Sequence, residues 1–101
     1  MNRMLFISVI AGSLALAGAV RAAGNAAAGK TDAASCAMCH GPTGQGTQVA
    51  PRIAGMQPAA FIQALQNFKS GRTDNAMMKA QVSNLSPQQM NDLAAYFASL
   101  R

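Results

Sequence analysis

Apolar and polar residues are not spread evenly along the chain. Leu5 to Val20 is an almost unbroken apolar and small-residue run behind the short positive start Asn2-Arg3, and it ends at Val20-Arg21-Ala22. That layout predicts a secretory signal peptide over 1–22, cleaved after Ala22, with one domain over 23–101. The run is a little short for a full membrane span and contains Gly12 and Gly18, which argues against a retained anchor. Ala23 to Ser35 is rich in alanine and free of proline, and predicts a small-residue first helix that another helix can approach closely.

Further along, Pro58 to Ser70 places Phe61, Leu65 and Phe68 at helical spacing, with Ile62 beside them. Pro58 suits a first helical turn, Lys69 a last one, and Gly71 a stop. A short helix is expected from about Ala76 to Ser83. Ser86-Pro87-Gln88-Gln89 has the layout of a helix start, with a capping serine, a first-turn proline and a glutamine at the third position. Met90, Leu93, Phe97 and Leu100 then recur on one face. Between the first and second helices, Gly41 to Gly55 reads as irregular chain. It lacks the Gly-Lys-Ser/Thr ending of a phosphate loop, and its glycines suit close backbone passage past a bulky group. No segment alternates long enough for a strand, so the fold class is all-α.

Composition changes this picture in one respect. The predicted domain has only Phe61, Phe68, Tyr96 and Phe97 as aromatics and no tryptophan. A domain this short buries only about 60–65% of its surface and usually needs a staple. A large apolar cofactor would supply the missing core. The formal charge of +5 overstates the basicity, since Arg3 and Arg21 would leave with the signal and reduce it to +3. The remaining cations are scattered, which excludes a nucleic-acid footprint and suggests at most a mildly acidic partner surface.

The candidate chemistry sits in Cys36-Ala37-Met38-Cys39-His40, which holds both cysteines and the only histidine. Two thiols with two residues between them and an imidazole directly after is the pattern of covalent haem c attachment. Each thiol can add across one haem vinyl group, and the adjacent histidine then lies under the iron. Three other uses of a Cys-x-x-Cys pair fit less well. A thioredoxin-like motif needs a preceding strand, a zinc site needs four ligands, and a plain disulfide leaves the histidine idle. Export agrees with the haem reading, because bacterial covalent attachment takes place outside the cytoplasmic membrane.

Several segments come in a familiar order. They are Ala23-Gly24-Asn25-Ala26-Ala27-Ala28-Gly29, the Cys36–His40 motif with Gly41, Pro51-Arg52-Ile53-Ala54-Gly55, Phe68-Lys69-Ser70-Gly71-Arg72 and Leu93-Ala94-Ala95-Tyr96-Phe97. In that order they resemble the small bacterial class I c-type cytochromes. More narrowly, the chain is similar to one half of the bacterial dihaem cytochromes and to related monohaem carriers. The resemblance implies three to four short helices wrapped around one haem, the first and last crossing near it. It implies His40 as the proximal ligand, a carbonyl from Pro51 as acceptor for the other imidazole nitrogen, and a distal methionine. In the related halves that methionine lies seven residues before the apolar residue preceding the last helix's serine. Here that residue is Leu85, which points to Met78, with its neighbour Met77 as the competitor. Met56 is off-pattern, Met38 lies between the cysteines, and Met90 belongs to the last helix's apolar stripe. Arg52 is a candidate for a haem propionate.

The implied function is a periplasmic one-electron carrier rather than an enzyme. Its partners would be redox proteins such as membrane cytochrome complexes, oxidases or periplasmic dehydrogenases, without stable membrane insertion after signal cleavage. The alternatives are the electron-transfer subunit of a periplasmic dehydrogenase and a haem sensor with an open iron position.

Overall fold

The computed structural model describes residues 24–101, so the expected signal peptide over 1–22 lies outside the described residues. Five helical segments follow one another, and there is no strand among the described residues. They are α1 (Ala26–Asp32), α2 (Ala34–His40), α3 (Pro58–Ser70), α4 (Ala76–Val82) and α5 (Pro87–Ala98). No helix among the described residues is long and apolar enough to cross a membrane.

α1 starts where the Asn25 side chain accepts the Ala28 backbone N–H at 3.0 Å. The sequence predicts that this first helix ends before the cysteines, but helical backbone continues through them to His40, interrupted only at Ala33. The reason is local. Nothing between Ala34 and His40 breaks a helix, and backbone bonds from Ala33 to Gly29 and from Ala37 to Ala33 carry the pattern across the interruption. The stop comes at Gly41, whose φ of 95° lies in a region that side-chain-bearing residues avoid.

The remaining helices follow the sequence closely. α3 has proline in its first turn and ends at left-handed Gly71, and Asn75 caps α4 by accepting the Met78 N–H at 2.9 Å. α5 opens with the full capping box. Ser86 Oγ accepts from the Gln89 N–H, and Gln89 Oε1 accepts from the Ser86 N–H.

Two contacts organise the molecule. α1 crosses α5 so closely that a Cβ on Gly29 would overlap the Asp92 carbonyl, and one on Gly24 the Asn91 carbonyl. α3 packs on the next face of α5, where the Phe61 and Phe97 rings stack with centroids 5.4 Å apart. The core is Ala33, Phe61, Leu65, Val82, Met90, Leu93, Ala94 and Phe97. Leu100, expected on the α5 stripe, lies just past the helix end and still packs against this core half-buried.

Candidate cofactor site

The buried set is small because a cavity of about 670 Å³ opens beside it. This volume falls within the range of about 300–1,000 Å³ usual for cofactor sites. One wall is α2. Cys36, Cys39 and His40 stand at i, i+3 and i+4, so a helix running through the motif puts all three on one face, and all three line the cavity. α3 contributes Phe61, Leu65 and Phe68. α4 contributes Met77, Met78 and Val82, and the loop between α2 and α3 contributes Pro51, Arg52, Ile53 and Met56.

Every expected site residue therefore borders one space. Met78 is half-buried and packs against the core, whereas Met77 is 72% exposed at the rim. Met90 is buried in the core, as its stripe position predicts, and Met38 points to solvent. Met56 also lines the cavity and packs against the core. Arg52 is exposed and borders the cavity.

The His40 ring is 7% exposed, and its Nδ1 lies 2.6 Å from the Pro51 carbonyl oxygen. A carbonyl can only accept, so Nδ1 carries the proton and Nε2 is left with its lone pair as the ligating nitrogen. The loop is hooked to α2 by two further bonds. The Gly46 N–H donates to the His40 carbonyl at 2.7 Å, and Thr47 Oγ1 donates to the Cys39 carbonyl at 2.6 Å. The two cysteines are not joined in a disulfide, and burial pushes the Cys36 thiol above its ordinary value, a shift only partly offset by a hydrogen bond with Ser35.

The donor set fits a covalently held haem. It offers two thiols a helical turn apart, an imidazole with one nitrogen already committed to a carbonyl, a half-buried thioether on a separate helix, and otherwise mainly apolar walls. The cytochrome c family model matches residues 26–101, an interval that contains every one of these groups. The chain belongs to the cytochrome c family. Membership implies covalently bound haem c.

Cytochrome c4 of Pseudomonas aeruginosa is 38% identical over 100 residues, covering 98% of this chain and 49% of that protein. Cytochrome c-554(547) of Halothiobacillus neapolitanus is 41% identical over 91 residues, covering 78% of this chain and 100% of that one. The solved cytochrome c4 of Acidithiobacillus ferrooxidans superposes with a TM-score of 0.73 at 34% identity, over 77% of this chain and 51% of the other. The chain thus spans about half the length of the cytochrome c4 relatives it matches. The class I cytochrome c fold expected from the sequence is the one observed.

Two residues of this cytochrome that matter to the site's architecture were not visible in its sequence. Asp92 is buried on α5, where Oδ1 accepts from the Asn25 backbone N–H and from Gln88 Nε2, each at 2.8 Å. It ties the start of α1 to α5 beside the Gly29 crossing. Thr47, an ordinary loop residue by composition, bonds the end of the motif helix. The Asn25–Asp92 and Thr47–Cys39 bonds depend on approaches between segments that periodicity does not encode.

Proposed function

We propose that this chain is an exported, periplasmic one-electron carrier with a single haem c, attached at Cys36 and Cys39 and ligated by His40 and Met78. The observation that supports this best is the contrast between neighbours on α4. Both methionines border the cavity, but Met78 lies against the core while Met77 turns to solvent.

When bound, the haem supplies an iron that changes charge by one with little rearrangement, and a thioether ligand favours its reduced state. The chain's own residues do the rest. α2 presents both thiols and the imidazole on one face, so attachment and proximal ligation are set by one rigid element. Pro51 accepts from His40 Nδ1, which fixes the ring's tautomer and orientation and makes Nε2 a stronger donor. Asn75 caps α4 through the Met78 N–H, so the backbone carrying the thioether is held at a helix start. Phe61, Leu65, Val82 and Leu93 exclude water from the cavity's inner wall. Among the described residues, the one charged group with a buried side chain, Asp92, is engaged in holding helices together.

The test is to express the chain with its leader in a host that matures c-type cytochromes. A pyridine haemochrome assay on the periplasmic fraction should give one haem per chain. Recovery of haem-free protein, or of haem that extraction removes from the polypeptide, would contradict covalent attachment.

A further inference from the structure

We infer that Thr47 is a positioning residue for His40, holding in place the turn that delivers the Pro51 carbonyl to the imidazole. α2 ends at His40, and the last carbonyls of a helix have no partner within it. Cys39 and His40, the last two residues, give their carbonyls to the same loop, one to Thr47 Oγ1 at 2.6 Å and one to the Gly46 N–H at 2.7 Å. The Thr47 hydroxyl also accepts from the Val49 N–H at 3.2 Å, and the Thr47 N–H donates to the Ala50 carbonyl at 2.8 Å. Residues 47–50 are therefore cinched into a tight turn, and the Thr47 hydroxyl is the side-chain bond that fastens it to the motif helix beside the Gly46 backbone bond.

The next residue is Pro51. It has no N–H with which to anchor itself, and its φ is fixed by its ring. Its carbonyl is therefore carried between the turn before it and the Ile53 and Ala54 N–H groups after it, which both donate to the Gly44 carbonyl. That carbonyl is the Nδ1 acceptor of His40, at 2.6 Å. Among the described residues, Thr47 is the only loop side chain that hydrogen-bonds α2. It is exposed and does not border the cavity, so it acts through Pro51 and His40 and not by contact with a cofactor. The inference rests on the haem-carrier reading, since it concerns how the ligating imidazole is tuned. A carbonyl held firmly against Nδ1–H makes the other nitrogen more basic, which favours the oxidised iron. Loosening it should raise the reduction potential.

The experiment compares the haem-loaded wild type with Thr47→Val, Thr47→Ala and Thr47→Ser. Its readouts are the reduction potential and, by NMR of the reduced protein, the solvent exchange rate of the His40 Nδ1–H. Valine and alanine should both shift the potential upward and speed the exchange about tenfold, the equivalent of one ordinary hydrogen bond. Serine, which keeps the hydroxyl, should restore wild-type values. A residue with a merely structural role would lower the melting temperature and move neither readout. Wild-type potential and exchange in either hydroxyl-free variant would overturn the proposal, as would a serine variant that behaves like alanine. Haem content of the wild type tests the carrier reading separately, so the two failures are not confused.

Discussion

Met77 and Met78 differ by one position and by everything that matters to a ligand. Replacing Met78 by Ala should abolish the far-red absorption band of oxidised thioether-ligated haem and lower the potential, because a thioether favours the reduced state. Met77→Ala should leave both unchanged, since that side chain is 72% exposed. Retention of the band in Met78→Ala would sink the assignment. The motif residues were legible from the sequence because their chemistry is local: thiols and imidazole act at fixed offsets on one helical face. The proposed distal ligand was not legible in that way. Met78 stands on a separate helix, and only a family resemblance or a folded chain can say which sulfur turns inward. The Pro51 carbonyl likewise was expected only through the resemblance, because backbone groups leave no mark in a sequence.

Helix starts and stops were almost fully written in the chain. Pro58 and Gly71 bound α3, and Ser86 with Gln89 opens α5. Ser86→Ala should cost about 1 kcal/mol, read as a lower denaturant midpoint with an unchanged slope. The continuation of helix through Cys36–His40 was not anticipated. The motif suggested chemistry and not conformation, although its residues contain no breaker before Gly41. How helices meet was less legible still. A stretch of small residues announces a close approach without saying to what. Gly29 answers with the Asp92 backbone, which cannot step aside as a flexible side chain would. Gly29→Ala should therefore destabilise the protein by about 1–3 kcal/mol, despite the gain of about 1 kcal/mol in helix propensity. Thermal melting of the haem-loaded variant checks this, and an unchanged or raised melting temperature would show that the crossing can open at no cost.

The described residues as a whole form a thin shell of eight buried apolar side chains beside a cavity of about 670 Å³. A domain of this size is marginal even when well filled. Replacing both Cys36 and Cys39 by Ser should therefore remove more than the cofactor. The variant is expected to lose its cooperative thermal transition and the fixed environment of its aromatic side chains, with circular dichroism in the far and near ultraviolet as the readout. A sharp transition in that variant would mean that the polypeptide core suffices by itself.

The crossing of α1 and α5 also has a consequence in time. The cap that Asp92 provides, the glycine contact and half of the core come from residues 90–97, near the far end of the described chain. While the ribosome has delivered only the first four helices, α1 has no surface to lie on and Phe61 no ring to stack against. Until α5 has been made, the chain therefore lacks the contacts that close its fold. The clasp that holds the first helix is the last piece of the fold to leave the ribosome.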